Sequence, residues 1–405
     1  MGKKNSISFR TVFYYIVIIG FLFPRGYGEI NTIYHSVCSL FMWISVVLVL
    51  IQSLNKTKIK VSIRKIKIHK ENIWLRGYFI AAILITAFCR KSFSSGLQQL
   101  FAAPCVCIFM LLNLKQYPEK ILNIIMNVLC IEFTLNALLS HPYINGVYHI
   151  IFLGHIQVVS QYEILAALVG TAYLLLYHKK KKKIYYLYLI TLYTTFTTDV
   201  EAAAFTAIGL LIALLIYKLK ASQILKMKSN IYVIAMMILS VTIIYLSVTN
   251  VRFLPNININ GRMYVWQDAM QKIIAHPIFG YGIDGVVLNT FWTTDGFNYA
   301  HNQLVQNFLD GGIVLVIFFW MMIFQFSTQI NAIKNTKYKV LCNATLIALL
   351  FVMLFESTTL YIYMYMILTI EYRMVEMINV SKKQLNEKPS FPVSLKKMGN
   401  KAHEG

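Results

Sequence analysis

The feature that most restricts this chain is a succession of apolar runs from one end to the other. They lie near 11–23, 33–54, 73–89, 97–114, 121–140, 161–177, 184–198, 202–217, 231–249, 312–330, 340–355 and 357–371. A helix needs about 20 predominantly apolar residues to cross a hydrocarbon core of about 30 Å. Within lipid, the backbone of such a segment must satisfy its own hydrogen bonds. The pattern predicts an all-α integral membrane protein of about 12 transmembrane helices. Several runs are short for a span, which predicts tilt or a thin local bilayer. The chain is 58% hydrophobic and only 13% charged, against about 25% charged in soluble domains. Residues 1–405 therefore read as a single polytopic membrane domain.

Charge sets the expected topology. The formal net charge is +22, and the cations cluster in alternate gaps. Lys56 to Arg76, Lys115 with Lys120, Lys179 to Lys183, Lys218 to Lys228 and Lys334 to Lys339 are basic, as is the tail over 372–405. The positive-inside rule places these gaps and both termini in the cytoplasm, with an even number of spans. The same rule divides 184–217. A single helix there would be about 50 Å long, too long for the core, so a hairpin is expected with Thr198-Asp199-Val200-Glu201 at its outer turn. No folded basic domain stands apart to bind nucleic acid. The first run follows Lys3, Lys4 and Arg10 and ends at Pro24-Arg25-Gly26 rather than at a small-residue cleavage site, so it reads as a retained helix. The six cysteines lie in or beside apolar runs with no C-x-x-C pair, which predicts neither a zinc site nor a disulfide framework.

One polar stretch remains. Residues 250–311 form a long loop between the ninth and tenth runs, and topology puts it outside. Loops of this length usually carry a function. Met263, Trp266, Met270, Ile273 and Ile274 recur at helical spacing, which predicts a helix over Arg262 to Ala275. His276-Pro277 ends it and Gly280-Tyr281-Gly282 turns the chain. A second helix opens at His301-Asn302, and Gly311-Gly312 interrupts it before the tenth span.

The ordered set Gly261-Arg262-x-x-x-Trp266, His276-Pro277-x-x-Gly280-Tyr281-Gly282, Ala300-His301-Asn302 and Gly311-Gly312-Ile313 resembles the signature of the O-antigen polymerase and ligase superfamily (Wzy-type). The resemblance implies transfer of glycans linked to undecaprenyl pyrophosphate at the outer face of the bacterial plasma membrane. A polymerase moves a growing chain onto the next repeat unit of a capsule, exopolysaccharide or O-antigen. A ligase moves a finished chain to another acceptor. The resemblance also implies inverting, metal-independent chemistry with no cofactor. In it, arginine holds the pyrophosphate and a loop histidine is the base. A chain-length regulator and a flippase are candidate partner proteins, beside membrane lipids.

The residues fit that chemistry. A guanidinium binds a departing pyrophosphate in bidentate fashion, and Arg262 is the loop cation so placed. A neutral imidazole accepts the proton of an attacking hydroxyl near neutral pH. His301, at a helix N-terminus, has its charged form disfavoured by the helix dipole. Each residue also has a plainer reading. Arg262 anchors the loop to lipid phosphates, Trp266 packs or sits at the interface, His276 terminates a helix, and His301 is structural. Tyr281, Asn302 and Glu356 complete the candidate substrate site. Glu356, before Ser357-Thr358-Thr359, resembles a carboxylate of the family at that place, and either orients an arginine or faces water. Glu132 and Glu163 either serve function within the membrane or bond between helices.

One departure stands out. Many members of the family carry Ser-Arg at the outer turn of a mid-chain hairpin, where this chain has Thr198-Asp199-Val200-Glu201. Arg90, Lys91 and Arg252 are the candidates to replace that arginine. Arg90 and Lys91 break the charge rule, and either snorkel to headgroups or hold an anionic group. The competing class is a transporter such as a lipid-linked oligosaccharide flippase. That reading calls for charges inside several helices and for repeated halves, whereas here the interior is poor in cations, no internal repeat is evident and the polar residues concentrate in one external loop.

Overall fold

The apolar runs fold as helices because an apolar segment in lipid must satisfy its backbone hydrogen bonds within itself. A computed structural model describes residues 8–29, 31–60, 72–89, 96–139, 150–155, 158–197, 225–249, 262–290, 293–297 and 299–386. The helices are α1 (Phe9–Leu22), α2 (Thr32–Lys60), α3 (Ile73–Cys89), α4 (Gly96–Leu114), α5 (Pro118–Leu139), α6 (Val159–Tyr177), α7 (Lys181–Thr197), α8 (Ser229–Val248), α9 (Arg262–Ala275), α10 (Gln303–Asn331), α11 (Thr336–Val352), α12 (Ile362–Tyr372) and α13 (Met374–Asn386). Every predicted run but 202–217 falls on one of them. That run, and the turn Thr198 to Glu201, lie outside the described residues.

α2, α5, α6, α8 and α10 are long and apolar enough to cross a bilayer. The chain is an all-α, multi-pass membrane protein. α6 is the inner helix, packed by α5, α7, α11 and α12. α2 and α8 lie outside and leave Leu40, Val47, Leu50, Ile238 and Val241 exposed, as lipid-facing helices do. α10 runs along α3 and touches α8, α9 and α12.

Two predictions change. The last two runs were expected at 340–355 and 357–371, but α11 stops at Val352 and α12 starts only at Ile362. Eleven residues of α12 rise about 16 Å, roughly half the hydrocarbon core. Between the helices, Glu356, Ser357, Thr358 and Thr359 are buried where the α-helical ladder is interrupted, with one short 3-10 turn over Thr358–Leu360. Such backbone is tolerated at membrane depth only inside protein or along a cavity. Here Gln303 satisfies part of it. Its carbonyl oxygen accepts from Thr359 N–H at 2.9 Å and from the Thr358 hydroxyl at 3.1 Å. Its amide donates to Thr359 Oγ1 at 2.9 Å.

The loop between α8 and α10 also contains a hairpin that periodicity did not predict, β3 (Leu288–Thr290) against β4 (Thr293–Phe297). Asp268 holds it by accepting from Asn289 N–H at 2.8 Å, while Lys272 pairs with Asp268 at 2.5 Å and donates to Val287 O at 2.7 Å. A smaller hairpin, β1 (Ile150–Ile151) with β2 (Gly154–His155), follows α5.

The loop is clamped to the membrane bundle at a break in α10. Gly311 and Gly312 leave the helical conformation, Gly312 with φ of 58°. The N–H groups released there are taken up by the turn after α9. Ile313 N–H donates to Pro277 O at 2.9 Å and Val314 N–H to Ile278 O at 3.4 Å. In return Tyr281 N–H donates to Leu309 O at 2.7 Å. A Cβ on Gly312 would stand 2.3 Å from the Ile278 carbonyl, and one on Gly280 2.4 Å from Leu309 O. Gly312→Ala is therefore expected to cost about 1–3 kcal/mol through strain and lost contact. Thermal unfolding of the purified protein in detergent checks this: a lowered midpoint is expected, and an unchanged one contradicts the clamp.

Candidate active site

α9 is positioned at both ends. Its C-terminus enters the clamp just described. Its middle is fixed by Trp266, which is fully buried and donates from Nε1 to Ala300 O at 2.8 Å. The apolar stripe consists of Val265, Trp266, Ala269 and Ile273, while Ile274, expected in it, is 73% exposed. The stripe faces the protein, so Arg262 at the first turn projects toward the α11–α12 connection.

The segment before α10 is held as tightly. Ala300 N–H donates to Gln306 Oε1 at 2.8 Å, and the Ser357 hydroxyl donates to the same oxygen at 3.2 Å. Asn302 caps α10, its side-chain oxygen accepting from Leu304 and Val305 N–H at 2.9 and 3.1 Å. Its amide donates to Leu354 O at 2.9 Å and to Ser240 Oγ at 3.3 Å. Gln303 N–H donates to Met353 O at 2.9 Å. Residues 299–306 are thus bonded directly to the strand of chain that carries Glu356.

His301, between these anchors, has φ of 50°. A non-glycine residue takes that conformation only where its surroundings over-determine it, and such residues cluster at functional sites. Tyr299 meets the imidazole edge to face, with centroids 4.4 Å apart.

These constraints converge on one carboxylate. Glu356, 5% exposed, receives Arg262 Nη2 on Oε1 at 2.9 Å and faces His301 Nδ1 with Oε2 at 3.4 Å. One carboxylate bridges the two residues that the sequence analysis selected for chemistry. A carboxylate beside Nδ1 favours the proton on that nitrogen, which makes Nε2 the basic one. Glu356 uses a single N–H of Arg262 and leaves further donors of the fork for an anion.

The other sequence candidates divide. Asn302 caps and fixes the segment. Trp266 is enclosed behind the site, tied to the residue before His301. His276 is exposed beyond the end of α9, 14 residues and about 20 Å along the axis from Arg262. It meets Tyr281 edge to face with ring centroids 4.5 Å apart, and the Tyr281 hydroxyl donates to Lys272 O at 3.1 Å. Both belong to the clamp rather than to the Arg262–Glu356–His301 group. Arg90, Lys91 and Arg252 lie outside the described residues. Glu163 accepts from the Thr195 hydroxyl between α6 and α7, the inter-helix alternative for that residue. Gln303 and Gln306 were missed. Their signal is the cluster of Gln303, Gln306, Asn307 and Asp310 on the opening turns of a helix that then becomes apolar.

Comparison with known proteins agrees with the resemblance read from the loop motif. The model of the O-antigen ligase family matches residues 159–320. That part of the chain is similar to the O-antigen ligase family. The matched stretch runs from α6 past the kink of α10 and contains Arg262, Trp266 and His301; Glu356 follows it. The chain is also similar to a protein of Rickettsia felis named "Putative polysaccharide ligase", 27% identical over 89 residues, 19% of this chain and 22% of the relative. A protein of the same description from Rickettsia conorii is 26% identical over 97 residues, 21% of this chain and 24% of the relative. The chain thus spans under a quarter of the length of these curated relatives.

Trp266→Phe keeps the ring and removes the N–H to Ala300. Loss of one buried hydrogen bond is expected to cost about 1–3 kcal/mol. Thermal unfolding should show that loss, and the crosslinking yield between cysteines placed at Arg262 and Glu356 should fall with it. Unchanged values in both would show that Trp266 does not fix this segment.

Proposed function

We propose that this chain is a lipid-linked glycosyltransferase at the outer face of the bacterial plasma membrane, with both termini cytoplasmic. Specifically, it polymerises oligosaccharide repeat units carried on undecaprenyl pyrophosphate into a surface polysaccharide. The observation that carries the reading is Glu356, which bridges Arg262 and His301 beneath the outer loop.

In this reading an acceptor sugar hydroxyl attacks the anomeric carbon that bears the pyrophosphate. The new glycosidic C–O bond forms as the bond to pyrophosphate breaks, and the pyrophosphate leaves with the electron pair. Attack from the opposite face inverts the anomeric centre. His301 Nε2 accepts the hydroxyl proton, and Glu356 stabilises the imidazolium through Nδ1–H. Arg262 binds the negative charge that grows on the leaving group, where an oriented donor acts without reorganisation. The burial of Glu356 supports this division, because charges interact more strongly when water is excluded.

A second reading is ligation of a finished glycan to another acceptor. The description of the matching family and the names of the Rickettsia relatives favour it. Both readings use the same site chemistry and differ in the acceptor.

The test is His301→Ala expressed in a strain lacking the gene, with the surface glycan resolved by size and the protein quantified in the membrane. Removal of a general base should lower turnover about 100-fold or more. Polymer lost with single repeat units left on the lipid carrier supports polymerisation. Long chains left on the carrier support ligation. A full ladder at equal protein level shows that His301 is not the base.

A further inference from the structure

Two cavities adjoin the α11–α12 connection and share Thr359 and Leu360 in their walls. One is also lined by Tyr78, Ile283 and Asp310. The other is also lined by Phe21, Ala102, Tyr361, Ile362 and Arg25. Arg25 belongs to no residue set considered so far.

The corner that carries Arg25 is held by many bonds. Arg25 and Gly26 N–H donate to Leu153 O and Phe152 O of the β1–β2 hairpin at 3.4 and 3.2 Å. Pro24 O accepts from the Tyr34 hydroxyl at 2.9 Å. A Cβ on Gly26 would stand 1.6 Å from Ile151 O, so only glycine permits this approach. Yet the Arg25 side chain is exposed. Its Nη2 meets the thioether of Met42 at 3.0 Å, a weak acceptor. Among the described residues no carboxylate pairs with it. A fixed backbone thus presents an uncompensated guanidinium at the rim of an apolar-walled cavity. That cavity shares Thr359 with the network around Gln303, two residues from His301.

We propose that this cavity is a second anionic subsite, which holds the pyrophosphate of the acceptor lipid while Arg262 serves the donor. The inference rests on the polymerase reading, in which both substrates carry a polyprenyl pyrophosphate. The donor loses its pyrophosphate and the acceptor keeps it, so the acceptor needs a cation away from the leaving group. Guanidinium suits a diphosphate by its paired donors, and Phe21, Leu360 and Ile362 suit the isoprenoid beside the headgroup.

The test places the photo-crosslinker p-benzoylphenylalanine at Leu360 of the full chain, in nanodiscs of zwitterionic lipid. The probe is radiolabelled undecaprenyl pyrophosphate bearing no glycan. Loss of a charge-assisted contact should lower labelling about tenfold in Arg25→Ala. Arg25→Lys should restore part of it, and Arg262→Ala should leave it unchanged. Thermal unfolding of the Arg25 variants should match the parent, because Arg25 contacts little else. No labelling, labelling indifferent to Arg25→Ala and Arg25→Gln, labelling lost equally with Arg262→Ala, or equal competition by phosphatidylglycerol each overturns the proposal. The glycan ladder of His301→Ala reports separately on the polymerase reading, so the two failures are distinguishable.

Discussion

A carboxylate buried away from water is costly unless it is paired and hydrogen-bonded, and Glu356 meets that requirement only when two distant segments are in place. Arg262 comes from the first turn of α9 and His301 from the approach to α10. Nearly every polar contact around the site serves to deliver one of these three. Trp266 ties α9 to Ala300, Asn302 and Gln303 tie α10 to Leu354, Met353 and Thr359, and Gln306 ties Ala300 to Ser357. Removing one partner would strand a charge in a site built to exclude water, so the ion group and the fold around it depend on each other.

The loop motif mixes proposed chemistry with scaffold. In the proposed reading Arg262 and His301 carry its chemistry. Trp266, His276-Pro277, Gly280-Tyr281-Gly282 and Gly311-Gly312 build a clamp in which a broken helix and a tight turn satisfy each other's backbone groups. The clamp ties the turn after α9 to the break in α10. The short α12 follows the connection in which Glu356 to Thr359 are buried, beside two cavities.

Much of this was legible in the sequence because the signals were local. Apolar runs marked the helices, the spacing in the loop gave α9 its bounds at Arg262 and Ala275, and Gly311-Gly312 marked the break in α10. What escaped was non-local. The run at 357–371 is apolar enough to suggest a full helix, yet Gln303, more than 50 residues away in sequence, bonds Thr358 and Thr359 and delays its start. Ile274 fits the periodic stripe of α9, but the stripe turns toward Ala269. His276 and Tyr281 drew notice as polar residues in a loop of functional character, whereas their place is set by the kink in a helix 30 residues on. Arg25 looked like the end of a first span, and only the hairpin after α5 reveals how firmly it is presented. Arg90, Lys91, Arg252 and the Thr198–Glu201 turn lie outside the described residues, so the replacement of the family's hairpin arginine is still a sequence-based expectation.

The central claim is that one carboxylate organises an arginine and a histidine to transfer a lipid-linked glycan. Its most direct test is transfer by the purified full chain in nanodiscs, given only a lipid-linked oligosaccharide, with the parent compared against Glu356→Gln. The account predicts that the parent lengthens the glycan and releases free polyprenyl pyrophosphate. Glu356→Gln keeps the shape but loses the charge, and should slow that release by about tenfold or more. Intact substrate with the parent protein, or equal rates in the two, would contradict it.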